Sequence, residues 1–367
     1  MMCRILHVLA VVAAMVILSG CYTGVSFSPD SKRLVVADHK GLHVMNADGS
    51  GARTLPNSDG GEQPSWSPDG RWIAFANNPI AYNGEKQRFE TWIYDNRTGK
   101  SRKITDEFGA PYSWREDGAR LAGIRPGEGK RKAQLYVCDP DGGDVVRVME
   151  LPSANAGGPL WVPHTDMLVV QVDDARNLYL VDGPECRRIT TTGGILGAGL
   201  SADGSKLYWV RQPSNTAING WQVYRYDLAK MVATRLPFPS TTPFPAPLPG
   251  FHADYMAVDI GPGARKMIVS MLLENTPPDR PNSRGKSYVV SSVMTMDGKE
   301  AHVIRTGGTA AKRMMRRTTG DLFETYWSPD GKHIALQEIV TTRKRNRLFI
   351  YDAYGRNERC IYTEPSG

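Results

Sequence analysis

One short pattern returns along this chain and restricts its fold more than any other feature. "FSPDSKRLVVA" (27–37), "WSPDGRWIAFA" (66–76), "WREDGARLAGI" (114–124), "LSADGSKLYWV" (200–210) and "WSPDGKHIALQ" (327–337) are copies of one unit. "WVPHTDMLVVQ" from Trp161 and "IGPGARKMIVS" from Ile260 fill the gaps, which makes seven. A unit repeated at such intervals cannot bury its apolar face alone and must stack on its neighbours.

Each copy is followed by a second strand-like pair around a polar turn, as in "ETWIYDNRTGKSRKIT" (90–105), "QLYVCDPDGGDVVRV" (134–148) and "RLFIYDAYGRNERCIY" (347–362). One unit is therefore a meander of four short strands, A to D. In Ser67-Pro68-Asp69-Gly70 the proline presets φ and the glycine supplies the left-handed residue of a bulged hairpin. Alternation in "RWIAFA" and "TWIYD", with Val, Ile, Tyr and Trp enriched, gives half-buried strands. No long helical periodicity follows the N-terminal segment, and 37 glycines and 25 prolines suit a turn-rich globular chain. The expected fold is all-β: a seven-bladed β-propeller of four-stranded antiparallel blades starting near residues 24, 63, 111, 158, 197, 255 and 324. Ring closure protects edges that a lone blade would expose.

The W-S-P-D-G…I-A-F…I-Y-x-x-D…L-T pattern resembles the TolB-like, WD-like propeller repeat across nearly the whole chain after its N-terminal segment. The resemblance speaks to fold, because the repeated residues are turn and core residues of the scaffold. TolB itself carries an α/β domain before its propeller, and here the first unit begins at once, which argues against a role in the Tol-Pal system.

The N-terminus reads as an export signal. One positive charge, Arg4, precedes an apolar run from Ile5 to Ile17 broken only by His7, too short to span a bilayer and suited to a signal-peptide core. Leu18-Ser19-Gly20-Cys21 matches the lipobox of bacterial lipoproteins. That resemblance implies a signal peptide over 1–20, diacylglycerol on Cys21, and a single propeller domain over 21–367. The alternative is ordinary secretory cleavage near Gly20 with Cys21 incidental. Either way the protein is expected to be exported. With a lipid it is membrane-anchored, facing the periplasm or the cell exterior, which disfavours nucleic acid as a partner despite a formal charge of +7.

Most catalytic chemistries find no support. A prolyl-oligopeptidase-type hydrolase requires a G-x-S-x-G elbow in an α/β domain, and the chain contains no such pentapeptide. Sialidase Asp boxes separate aspartate from glycine by one residue, whereas Gly70 directly follows Asp69. A metal-assisted polysaccharide lyase or hydrolase at the channel mouth is the alternative function. His39, His43, His164, His252, His302 and His333 are its conceivable ligands, yet none forms an H-x-H or H-E-x-x-H pair. Asp30, Asp69, Asp117, Asp203 and Asp330 each belong to a separate hairpin and have turn duties there. Cys138, Cys186 and Cys360 lack C-x-x-C spacing; Cys138 reads as a core filler, the others as strand residues near the rim. No cofactor or metal is expected.

In a meander blade the A–B and C–D turns share one face, and the B–C and D–A connections the other. The long individual segments, such as "NNPIAYNGEKQRFE" (77–90), "LPFPSTTPFPAPLPGFH" (236–252) and "LLENTPPDRPNSRGKS" (272–287), all fall on the second face. Binding sites concentrate on such loops. Three basic clusters lie there too: Lys130-Arg131-Lys132; Lys312, Arg313, Arg316 and Arg317; and Arg343, Lys344, Arg345 and Arg347. The last two neighbour blade 1, whose first strand starts about four residues after Cys21, a reach of about 14 Å. The expected arrangement is an acyl anchor beside a polybasic patch on an anionic membrane. The expected function is a lipid-anchored, non-enzymatic scaffold of the cell envelope that binds a protein or a glycan.

Overall fold

The computed structural model describes residues 24–77, 90–127, 131–172, 176–213, 221–238, 252–275, 286–308, 321–340 and 345–364. Among these, seven four-stranded antiparallel sheets form the blades of a propeller, each built from four consecutive strands. Blade 1 comprises β1 (Val25–Phe27), β2 (Arg33–Asp38), β3 (Gly41–Asn46) and β4 (Arg53–Thr54). Blade 2 follows with β5 (Gly61–Trp66), β6 (Trp72–Asn77), β7 (Thr91–Asp95) and β8 (Lys100–Thr105). Blade 3 has β9 (Gly109–Trp114), β10 (Leu121–Arg125), β11 (Gln134–Cys138) and β12 (Val146–Glu150). In blade 4 these are β13 (Leu160–Trp161), β14 (Leu168–Val172), β15 (Asn177–Asp182) and β16 (Glu185–Arg188). Blade 5 holds β17 (Ile195–Leu200), β18 (Lys206–Arg211), β19 (Gln222–Asp227) and β20 (Val232–Arg235). Blades 6 and 7 have longer strands: β21 (His252–Ile260), β22 (Lys266–Asn275), β23 (Lys286–Thr295) and β24 (Ala301–Gly308), then β25 (Asp321–Trp327), β26 (His333–Val340), β27 (Arg345–Asp352) and β28 (Arg359–Thr363). The inner strands start within three residues of the positions the repeat predicts.

The repeat writes its own turn. Ser67 Oγ donates to Asp69 Oδ1 (2.5 Å) and accepts from the Trp72 amide (2.9 Å), while Asp69 Oδ1 accepts from the Arg71 amide (3.0 Å). Ser28 with Asp30, Ser201 with Asp203 and Ser328 with Asp330 repeat this set at 2.6 Å. These are Asx-type turns that satisfy backbone donors the hairpin leaves free. The turn hydroxyls and amides lower the Asp203 carboxyl to about 2, and Asp30 is lowered for the same reason. The aspartates thus have the structural duty that the sequence assigned them. Blade 6 replaces the turn with a single 3-10 turn, Pro262–Ala264.

The same unit also joins blades. Trp114 Nε1 donates to the Ser65 carbonyl (3.2 Å), Trp161 Nε1 to the Ser113 carbonyl (3.1 Å) and Trp327 Nε1 to the Asp259 carbonyl (3.4 Å). Each acceptor immediately precedes the last residue of the neighbouring inner strand. Blades 5 and 6 approach more closely still: a Cβ on Gly197 would lie 1.8 Å from the Val258 carbonyl oxygen. That position admits only glycine, which explains "ILGAGL" in place of the bulky residues found in other inner strands.

Among the described residues no strand is exchanged between blades 1 and 7, and side chains join them. Below, Val25, Phe27, Leu34, Val36 and Met45 pack on Ala335, Leu348 and Ile350. Above, the fully buried Gln337 accepts from the Gly24 amide (3.0 Å) and donates to the Ala37 carbonyl (2.8 Å). Tyr362 donates to Asp38 Oδ2 (2.6 Å), and His39 Nδ1 lies 3.2 Å from Glu364 Oε2. Removing a partner from a buried hydrogen bond costs about 1–3 kcal/mol per orphaned group. Gln337→Leu is therefore expected to destabilise the protein by about 2–4 kcal/mol, read as a lower denaturation midpoint, while Gln337→Glu at low pH keeps most of the loss from appearing.

Candidate functional site

Inner strands surround the propeller axis, and three of them bring carboxyls toward it. Glu62 stands on β5, Asp259 on β21 and Glu324 on β25. Between Glu62 and Glu324 lies blade 1, whose inner strand has three residues only, and blade 7 fills the space above it. Tyr326, two residues after Glu324 and so on the same face of β25, donates to the Glu324 carboxylate. The Val25 amide, the first of the short strand, lies close enough to the phenol oxygen to favour its ionised form.

Burial weakens these acids. Desolvation, followed by repulsion from Glu324, pushes Glu62 up to about 7. Asp259 also rises to about 7, through desolvation alone. Asp259 keeps exposed surface, yet its acidity is low. Burial likewise pushes Tyr326 well above its usual value. Tyr112 on β9 is raised for the same reason and donates to Thr91 Oγ1 (3.1 Å). Near neutral pH Glu62 and Asp259 therefore exchange between the neutral carboxyl, which donates, and the carboxylate, which accepts, while Tyr112 and Tyr326 pack between blades.

A second polar group belongs to the ring closure. Asp38 is fully buried and accepts from His43 Nε2 (2.9 Å), Tyr362 Oη (2.6 Å) and the Lys40 amide (2.7 Å). The other ring nitrogen of His43 lies 3.1 Å from Thr54 Oγ1. Hydrogen bonds from His43 and Tyr362 hold the Asp38 carboxyl low against its burial. The chain Asp38–His43–Thr54 spans three adjacent strands in register, His43 opposite both Val36 and Thr54, and it ties the edge strand β4 to the seam.

The predicted site residues have mixed outcomes. Cys21, Lys312, Arg313, Arg316, Arg317, Arg343 and Lys344 lie outside the described residues, as does Lys130. Arg345 opens β27 opposite Val340. Arg347 pairs with the buried Glu338 and sits 5.5 Å over the Phe349 ring, so part of its charge is already neutralised. Among the histidines, His164 pairs with Glu116 (2.8 Å) on the turn face, His333 begins β26 and His302 lies in β24. Among the described residues no three His, Cys, Asp or Glu side chains converge as a metal site. Cys138 is fully buried, whereas Cys186 and Cys360 stand on the outer strands β16 and β28, and all three are free thiols. The axial carboxyls escaped sequence reasoning because they occupy the variable positions ahead of the repeat. The one available signal was a charged residue inside an inner strand otherwise made of small, apolar and aromatic ones.

No known family profile matches the chain. It is 30% identical over 111 residues to an uncharacterized peptidase, YuxL, of Bacillus subtilis, a stretch covering 30% of this chain and 17% of that protein. The chain thus spans about a sixth of that relative. Among solved structures it is similar to an oligogalacturonate lyase of Vibrio parahaemolyticus, at 15% identity and a TM-score of 0.57, covering 91% of this chain and 89% of the lyase. The β-propeller domain of the Pyrococcus furiosus Trilobed protease, described as having an open velcro topology, matches at 16% identity and a TM-score of 0.56, over 93% and 97% of the two chains. TolB of Acinetobacter baumannii matches at 18% identity and a TM-score of 0.45, over 76% of this chain and 61% of TolB. At these identities the likeness to the lyase and the protease domain is one of fold alone, a β-propeller ring.

Because Glu62 and Asp259 bind protons more tightly folded than unfolded, stability falls as pH rises from about 4, the unfolded value, to about 7. Glu62→Gln is expected to raise stability at pH 8 by on the order of 1–3 kcal/mol and to change it little at pH 4. Denaturation curves at the two pH values check this, and a variant equally affected at both places the acid outside the desolvated axis.

Proposed function

We propose that this chain is a lipid-anchored binding module of the cell envelope, and that it receives a neutral, hydroxyl-rich ligand such as a glycan at the loop-rich mouth of its channel. The observation that carries the reading is Glu62, a weakly acidic carboxyl one residue into its inner strand and within electrostatic reach of Glu324. A half-protonated carboxyl matches a sugar hydroxyl as donor and acceptor. Polyuronates fit less well, since Glu62, Asp259 and Glu324 would repel them once ionised. This argues against the lyase alternative on electrostatic grounds.

The anchor reading rests on the sequence, with the Leu18–Cys21 lipobox placed three residues before Gly24. Gln337 fixes Gly24 against blade 7, and a Cβ at Gly24 would lie 2.8 Å from Gln63 Cα. Any tether leaving this point starts at a fixed place on the loop-rich face, where β1 begins. With a lipid on Cys21, that face is held toward the bilayer, beside Lys312, Arg313, Arg316, Arg317, Arg343, Lys344 and Arg345. The membrane is then one partner, through acyl chain and basic side chains together, and an envelope glycan or protein is the other.

Two measurements test this reading. Binding of neutral oligosaccharides is expected to weaken about tenfold between pH 6 and pH 8 in the native protein; Glu62→Gln removes much of that dependence, and preferential binding of polyuronates refutes the reading. Cys21→Ser is expected to move the protein from the membrane to the soluble fraction. In the delipidated protein, charge reversal at Arg313, Arg316, Arg343 and Arg345 should abolish binding to anionic vesicles, and unchanged binding removes the basic patch from the account.

A further inference from the structure

On the opposite face, at the outer rim between blades 1 and 2, two arginines converge without a carboxylate. Arg33 opens β2 directly after its hairpin turn, and Arg53 lies on the edge strand β4. Arg33 Nη1 and Arg53 Nη2 both point at Asn96 Oδ1, in the blade 2 C–D turn, at 3.5 and 3.4 Å. These are limiting distances, and the acceptor is a neutral amide. Among the described residues neither guanidinium forms a salt bridge.

Both arginines are nevertheless held in place. Arg33 lies 4.9 Å over the Trp66 ring, and Arg53 lies 5.4 Å over the Tyr94 ring while donating to Tyr94 Oη at 2.7 Å. Trp66 and Tyr94 are buried, so the two charges rest on a rigid aromatic shelf. The nearby acids are otherwise engaged. Asp95 pairs with Arg71 (3.4 Å) and accepts from the Arg97 amide (2.8 Å). Asp30, within electrostatic reach of Arg33, is held by Ser28 and the Lys32 amide in its own turn. The exposed Lys32, Arg97 and Lys100 stand on the same turns.

We propose that Arg33 and Arg53 form an oxyanion site, with Asn96 at its centre, for the phosphate group of a soluble metabolite or of a lipid headgroup. Two preorganised planar forks converging on one point suit an anion with several oxygens, which shortens contacts that the amide leaves long. Tryptophan and tyrosine set the fork planes, so arginine is required and lysine is a poor replacement. The site is separate from the channel and lies on the face away from Gly24 and the anchor, so a lipid headgroup bound there belongs to a second, apposed membrane.

Calorimetric titration of the full chain with inorganic phosphate is expected to show saturable one-to-one binding. Arg53→Gln, at an exposed side chain, should weaken it at least tenfold, and Arg53→Lys should recover part of the loss. Asn96→Asp should also weaken it at least tenfold while raising the melting temperature, since an internal carboxylate then occupies the site. A parallel arm uses vesicles of phosphatidylglycerol. Free phosphate binding with this variant pattern assigns a soluble source; vesicle binding alone, with the same pattern, assigns a headgroup. Absence of both, or affinities unchanged in Arg53→Gln and Asn96→Asp, overturns the site.

Discussion

A propeller is a ring only if its first and last blades hold together, and here, among the described residues, that contact is made without an exchanged strand. Everything else about the molecule depends on it, because blade-to-blade packing elsewhere is local and repeated. The seam is apolar toward the turn face and polar toward the loop face. Gln337 satisfies the Gly24 amide and the Ala37 carbonyl, and Asp38 collects bonds from His43, Tyr362 and Lys40. Buried polar groups of this kind add little net stability when satisfied, but they fix register, since a slipped seam would leave several of them unpaired. An apolar seam alone would tolerate more sliding.

The seam also shapes the axis. β1 contributes three residues to the inner wall, whereas β21 contributes nine and β25 seven. Blade 7 therefore leans its Tyr326 over the first amide of blade 1, and Glu324 follows within electrostatic reach of Glu62 on the far side. The raised Glu62 carboxyl is thus tied to how the ring closes, since its second cause is Glu324 across the short blade 1 strand.

Much of the scaffold could be read from the chain directly. The seven A–B turns, five with the aspartate and four with an indole ahead of the turn, are local and repeated, so each copy confirms the others, and the blade starts follow within three residues. What could not be read is whatever occurs once and acts across the ring. His39 and His43 stand among the conceivable metal ligands in sequence, and their partners are instead Glu364 for His39 and Asp38 and Thr54 for His43. Gln337 sits in a core-facing position of the last repeat, where an amide gave no hint of two backbone partners 300 or more residues away. Nothing in the sequence places Asn96 between Arg33 and Arg53, which come from two strands of a different blade. Glu62 and Asp259 titrate as they do through burial, which no local pattern expresses.

The closing contacts join residues at the two extremes of the described chain: Gly24 and Gln337 are 313 positions apart, Asp38 and Tyr362 324. Contacts of such separation carry a large loop-closure entropy and form after local hairpins. During folding, blade 1 therefore waits for the whole ring: Val25, Phe27, Leu34 and Val36 lack their blade 7 partners until the final repeat is in place, and apolar surface left uncovered for that interval favours aggregation.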